Sequence, residues 1–113
     1  MKIITDKITK QELDEMAKKM FGNLVKGVVD IEKGIMVVDG ELHADEERIL
    51  LDNGSKQENL WGINIYPELE GGDRIEFDSM INIRPSQNNM SRGVEDIKIQ
   101  AKIREITSRL IKK

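Results

Sequence analysis

The chain contains no cysteine. That absence excludes disulfide staples, thiolate zinc sites, iron–sulfur clusters and cysteine nucleophiles. Aromatic residues are scarce: two Phe, one Tyr and one Trp in 113 residues. Aliphatic side chains and Met must therefore fill the interior. Long apolar runs are also lacking, and nothing approaches the ~20 consecutive apolar residues a membrane-spanning helix needs. The opening Met1-Lys2-Ile3-Ile4-Thr5-Asp6-Lys7 carries charge on both sides of its short apolar run and does not read as a signal peptide. Cytoplasmic residence without membrane contact is the expectation. Proline/serine-rich linkers, internal repeats and low-complexity tracts are absent, so residues 1–113 are expected to form one domain with one core.

What the chain has in abundance is charge. Charged residues make up 35% and hydrophobic residues 38%, which is too apolar for a disordered tail. The net charge of −3 is unevenly spread. Residues 1–29 hold six lysines against four acids, residues 30–78 four basic against fourteen acidic, and residues 79–113 eight basic against three acidic. An acidic middle argues against an extended nucleic-acid footprint. A basic final helix beside an acidic body suits either a solvated face or a homodimer held by charge.

Periodicity supplies the elements. Ile3–Thr5 suits a short strand. Thr9 with Glu12 forms a capping box, Ile8 can staple onto Leu13, and Leu13, Met16, Ala17 and Met20 continue one apolar stripe, predicting a helix over 9–21 that Gly22 ends. Val25–Ile31 and Ile35–Val38 read as a β-hairpin. A two-residue turn at Lys33-Gly34 would pair Ile31 with Met36 and Val29 with Val38 on one face. Asp45-Glu46-Glu47 opens a short helix that Asn53-Gly54 stops. Leu60–Tyr66 and Arg74–Arg84 alternate as two further strands. Trp61, Ile63, Ile65, Ile75, Phe77, Ile81 and Ile83 share the apolar side. Ile99, Ile103, Ile106 and Leu110 form the seam of a last helix over 96–111. The expected fold is α+β, in the order β-α-β-β-(short α)-β-β-α. Its two long helices pack on one face of a mainly antiparallel sheet.

By strand parity, the opposite sheet surface collects Asp39, Glu41 and His43 from the first hairpin and Asn64, Asp78, Asn82 and Arg84 from the second. The loop beyond adds Ser86, Gln87, Asn88, Ser91 and Arg92. Amide and hydroxyl donors beside two guanidinium groups suit a small anionic or polar ligand. In a catalytic version, His43 is the general base, Glu41 or Asp78 orients it, and Arg84 and Arg92 anchor a phosphate or carboxylate. Each feature has a plainer reading. Antiparallel sheets often have one wet face, Asn and Ser build turns, and His43 suits a helix entry where it satisfies backbone groups. Glu41, His43 and Asp45 are spaced like metal ligands but include one nitrogen donor only, so no metal and no cofactor is assigned. Trp61 and Tyr66 fall on opposite strand faces, which denies RNA a stacking platform.

Three segments taken together are distinctive: Gly40-Glu41-Leu42-His43-Ala44-Asp45, Leu60-Trp61-Gly62-Ile63-Asn64-Ile65-Tyr66-Pro67 and Ile81-Asn82-Ile83-Arg84-Pro85-Ser86-Gln87. Their combination resembles a family of short prokaryotic proteins known as a domain of unknown function, over nearly the whole chain. The resemblance implies neither an activity nor a catalytic residue. Where the family pattern places a Gly-Gly pair before Glu-Leu-His, this chain has Asp39-Gly40.

Overall fold

The computed structural model describes all residues, 1–113. Ten elements follow in chain order: β1 Lys2–Ile4, β2 Ile8–Thr9, α1 Lys10–Lys19, β3 Val25–Asp30, β4 Ile35–Val38, α2 His43–Asp52, β5 Leu60–Ile65, β6 Ile75–Glu76, α3 Ile97–Leu110 and β7 Ile111–Lys112. Five strands make an antiparallel sheet in the order β1-β4-β3-β5-β6, and β2 pairs with β7 in parallel at the opposite end of the chain order. The α+β class is as expected.

The helix ends follow their local chemistry. Thr9 Oγ1 accepts the amide of Glu12 at 3.1 Å and caps α1. Past its end, Gly22 turns with φ +91° and returns its amide to Ala17 O. The side chain of Asp96 likewise accepts the Lys98 amide and caps α3. The apolar stripes of both helices then meet the sheet. Leu13 and Ala17 from α1 and Ile103, Ile106 and Leu110 from α3 join Val29, Met36, Val38, Trp61, Ile63 and Ile65 in the main core.

The β3–β4 hairpin keeps its expected parity with a register shifted by two residues. Val29 faces Met36, and Gly27 faces Val38. The cause is Asp30, whose Oδ1 accepts the amides of Glu32 and Lys33, both at 2.9 Å, so the chain begins to turn before Ile31. A four-residue connection replaces the two-residue turn, and Gly34 closes it at φ +70°. Because the shift is even, Ile31 still packs against the main core.

Two further expectations fail. The strand over Arg74–Arg84 stops after Glu76. Ser79 instead caps a 3₁₀ turn over Met80–Asn82, its Oγ accepting the Ile81 amide, and the chain folds back over β5. Phe77 stays against the main core, Ile81 crosses to the other side of the sheet, and Ile83 is 39% exposed. The second sheet face is also not wet. Leu50 of α2 packs with Val28, Val37 and Leu60 in a second small core, with Ile81 beside it. The molecule therefore has three layers: α1 and α3, the sheet, and then α2 with the Met80–Asn82 turn.

Candidate functional site

That third layer leaves a cleft of about 240 Å³ between the start of α2 and the 78–81 turn, above the middle of the sheet. Four of the residues singled out from the sequence line it: Asn64 and Asp78, Arg92 from the loop, and His43, which enters from the start of α2 and not from a strand, because β4 ends at Val38. Lys26, from β3, is a fifth polar member that sequence reasoning overlooked. Its signal was present, because Lys26 shares the parity of Val28 and Asp30 in an otherwise apolar strand.

His43 is the first residue of α2, and its Nε2 lies 2.8 Å from Ile63 O. A carbonyl oxygen only accepts, so a neutral His43 carries its hydrogen on Nε2 and leaves Nδ1 as an acceptor. Burial pulls the imidazole below its ordinary pKa, with Lys26 acting in the same direction; the Ile63 carbonyl, Asp78 and the Asn64 side chain, which a protonated ring could bond, partly oppose it. The positive end of the α2 dipole also disfavours an imidazolium there. The helix-entry reading and the site reading of His43 are thus compatible, because the backbone bond that seats the ring also sets its tautomer.

Asn64 projects from β5, and its orientation is fixed by donation. Nδ2 bonds Glu76 Oε1 at 2.8 Å and reaches Asp78 O at 3.4 Å, while Tyr66 donates its hydroxyl to the same Glu76 oxygen. Asn64 is 8% exposed, and its Oδ1 is buried without a donor. Unpaired buried acceptors are uncommon, since each forfeits about 1–3 kcal/mol. Arg92 Nε and Asp78 Oδ1 form an ion pair at 2.8 Å on the rim. The only hydroxyl in the cleft is that of Ser79, which is 2% exposed and already accepts the Ile81 amide.

A family model described as "Protein of unknown function (DUF5674)" matches residues 2–110. The chain belongs to that family. No curated protein and no solved structure matches it. The match spans every element from β1 through α3 and with them the whole cleft, and the family's description carries no activity across. Just before α2, Asp39 adopts φ +69°, a left-handed conformation that Asp tolerates better than most residues. Gly40 is required for space: a Cβ there would lie 2.6 Å from Glu46 Cγ.

The remaining expected site residues lie elsewhere. Glu41 is exposed and outside the cleft. Asn82 is fully buried and acts as a surrogate strand. Its Oδ1 accepts the Gly62 amide at 2.8 Å, and its Nδ2 donates to Gly62 O and to Arg92 O, each at 3.0 Å. Gly62 leaves room for this layer, since a Cβ there would sit 2.5 Å from Ser79 Cβ. Arg84, 8% exposed, donates to Gln57 O, Leu60 O and Gln87 Oε1, with its guanidinium 4.2 Å from the Trp61 ring centre. Gln87 continues this clasp by donating to Glu58 O. Ser86 is exposed on the turn Pro85–Gln87, which Asn88 ends at φ +59°. Ser91 is exposed beyond it and lies outside the cleft. Asn89, buried at 3%, ties this segment together by donating to Asn82 O, Ser91 O and Gly93 O. The donor-rich loop thus satisfies backbone groups, while in the cleft beside it Asn64 Oδ1 has no donor.

Proposed function

We propose that the protein is a binding module for a small polar ligand, taken in the His43 cleft. The observation that carries this reading is Asn64 Oδ1, a buried acceptor held without a donor beside a neutral His43 whose Nδ1 is a second acceptor. A ligand hydroxyl or N–H satisfies the two acceptors. Lys26 and Arg92, with one charge offset by Asp78, leave a surplus of one positive charge for a carboxylate or a phosphate monoester. The cleft's size fits a compact metabolite rather than a polymer.

A panel of small hydroxycarboxylates and sugar phosphates, screened by thermal unfolding, tests this. Members that bind should raise the unfolding temperature of the wild type and have a clearly smaller effect on Arg92→Ala. A panel that shifts both proteins equally, or neither, removes the reading.

A hydrolase or transferase acting on a phosphate- or carboxylate-bearing substrate is the second reading. His43 Nδ1, the acceptor nitrogen of a ring that burial keeps neutral, is the base it requires. With Ser79 occupied, water or a second substrate must serve as nucleophile. Turnover of 4-nitrophenyl esters or phosphates that disappears in His43→Gln would favour it over simple binding.

A further inference from the structure

The larger hollow of the molecule, about 530 Å³, shares no residue with the His43 cleft. It lies where the end of α3 and β7 meet the Gly71–Arg74 turn and the start of α1. Its wall holds Lys10, Arg74, Arg104, Lys112 and Lys113 against one carboxylate, Glu70, a net of four positive charges from five cations and one acid. In a chain of net charge −3, this local excess runs against the whole. Like charges gathered around a concavity repel one another and raise the local potential, a cost that an anion in their midst relieves.

Both arginines are prepared for such a partner. Arg104 donates Nη1 to Gly72 O at 3.1 Å, and its guanidinium lies 4.9 Å from the Phe77 ring centre, so its fork is held in place. Arg74 also lines the hollow, and its Nε is buried with no acceptor, so none of its bonds to the protein satisfies that donor. Facing them, a Cβ at Gly71 or Gly72 would meet nothing within 4 Å, so the turn leaves the hollow unobstructed. The exposed Ser108 adds a hydroxyl. Lys10 is drawn aside only by a 3.7 Å pair with the exposed Glu68.

We propose that this hollow is a binding site for an oligophosphate chain, two or three linked phosphates, either free or at the end of a nucleotide. Guanidinium forks match phosphate oxygens, and several cations around one volume suit several linked anions better than a single carboxylate. Arg104 already covers the Phe77 ring, so the wall offers a nucleobase no free aromatic face, and recognition falls on the phosphates.

Calorimetric titration of the full chain with tripolyphosphate, ATP, GTP, inorganic phosphate and a short single-stranded RNA tests this at physiological salt. Tripolyphosphate and both nucleotides should bind with similar affinity, well above that of single phosphate. Arg74→Gln should weaken tripolyphosphate by about tenfold or more, the loss expected for one charge-assisted donor. The exposed Lys112→Gln should weaken it less, and it keeps the test open if Arg74→Gln does not fold. Lys98→Gln, outside the hollow, should leave binding unchanged. A clear preference for one nucleotide over tripolyphosphate would place the specificity in the base and overturn the assignment. So would absence of saturable tripolyphosphate binding, an equal loss in Lys98→Gln, or RNA binding more tightly than tripolyphosphate.

Discussion

Replacing Glu46 by Gln should stabilise the protein, and by an amount that grows with pH. Glu46 sits on α2 with no exposed surface, one oxygen accepting the Gly40 amide at 2.9 Å and the other without a partner. Burial pushes its carboxyl from 4.5 up to about 9; Asp39 adds to the rise, while the Gly40 amide, Lys26 and the N-terminal amine act against it. In the unfolded chain the group ionises near 4.5. Between these values the folded state holds a proton that the unfolded state has released, so stability declines as pH rises through that window. One proton corresponds to about 1.4 kcal/mol per pH unit, so from roughly pH 5 to pH 7 the loss approaches 2.5 kcal/mol, an upper bound if water reaches the site. Gln mimics the protonated acid, keeps an oxygen for Gly40 and does not titrate. The two proteins should be about equally stable near pH 4 and separate steadily above it. Urea unfolding followed by the fluorescence of Trp61, the only tryptophan and 1% exposed, reads the difference directly, because all other titrations cancel between the two proteins. A gap that stays constant with pH, or one that closes as pH rises, would refute the reasoning.

Asn82→Ala strips partners from the buried Gly62 amide and carbonyl and should cost about 3 kcal/mol, on the scale of two unsatisfied buried groups; a loss under 1 kcal/mol in the same urea assay would mean that water replaces the amide. His43 should titrate below 6.5 by NMR, with Asp78→Asn lowering its midpoint further and Lys26→Gln raising it, since those two charges act in opposite senses. Because the folded state resists protonation there, this group contributes stability above 6.5 that is lost on acidification through the folded midpoint, and movement of the midpoint in the reverse directions would contradict the geometry.

Much of the fold was legible because short-range chemistry and long-range burial agree. Thr9 and Gly22 mark the ends of α1 by local hydrogen bonding, and the stripes on α1 and α3 match the apolar parity of β3, β4 and β5. The 74–84 segment misled because its alternation is real but unused. Ser79 and Asn82 offer the backbone competing bonds, and nothing local reveals that Asn82 will pair with Gly62, twenty residues away. The candidate site divided along the same line. His43, Asn64, Asp78 and Arg92 converge in one cleft, whereas Arg84 and Gln87 are spent holding the backbone at the entrance to β5. A sequence shows donors; whether they are already engaged depends on partners brought in by the fold.

Ile8 and Thr9 run alongside Ile111 and Lys112, residues about a hundred positions later. Such a clasp cannot close during synthesis until Lys112 has emerged, and its loop entropy is met only once everything between is in place. The β2–β7 ladder should accordingly form last and open first under tension or mild denaturant. Its amides would then exchange hydrogen ahead of those in β3 and β5, while the central strands stay shut.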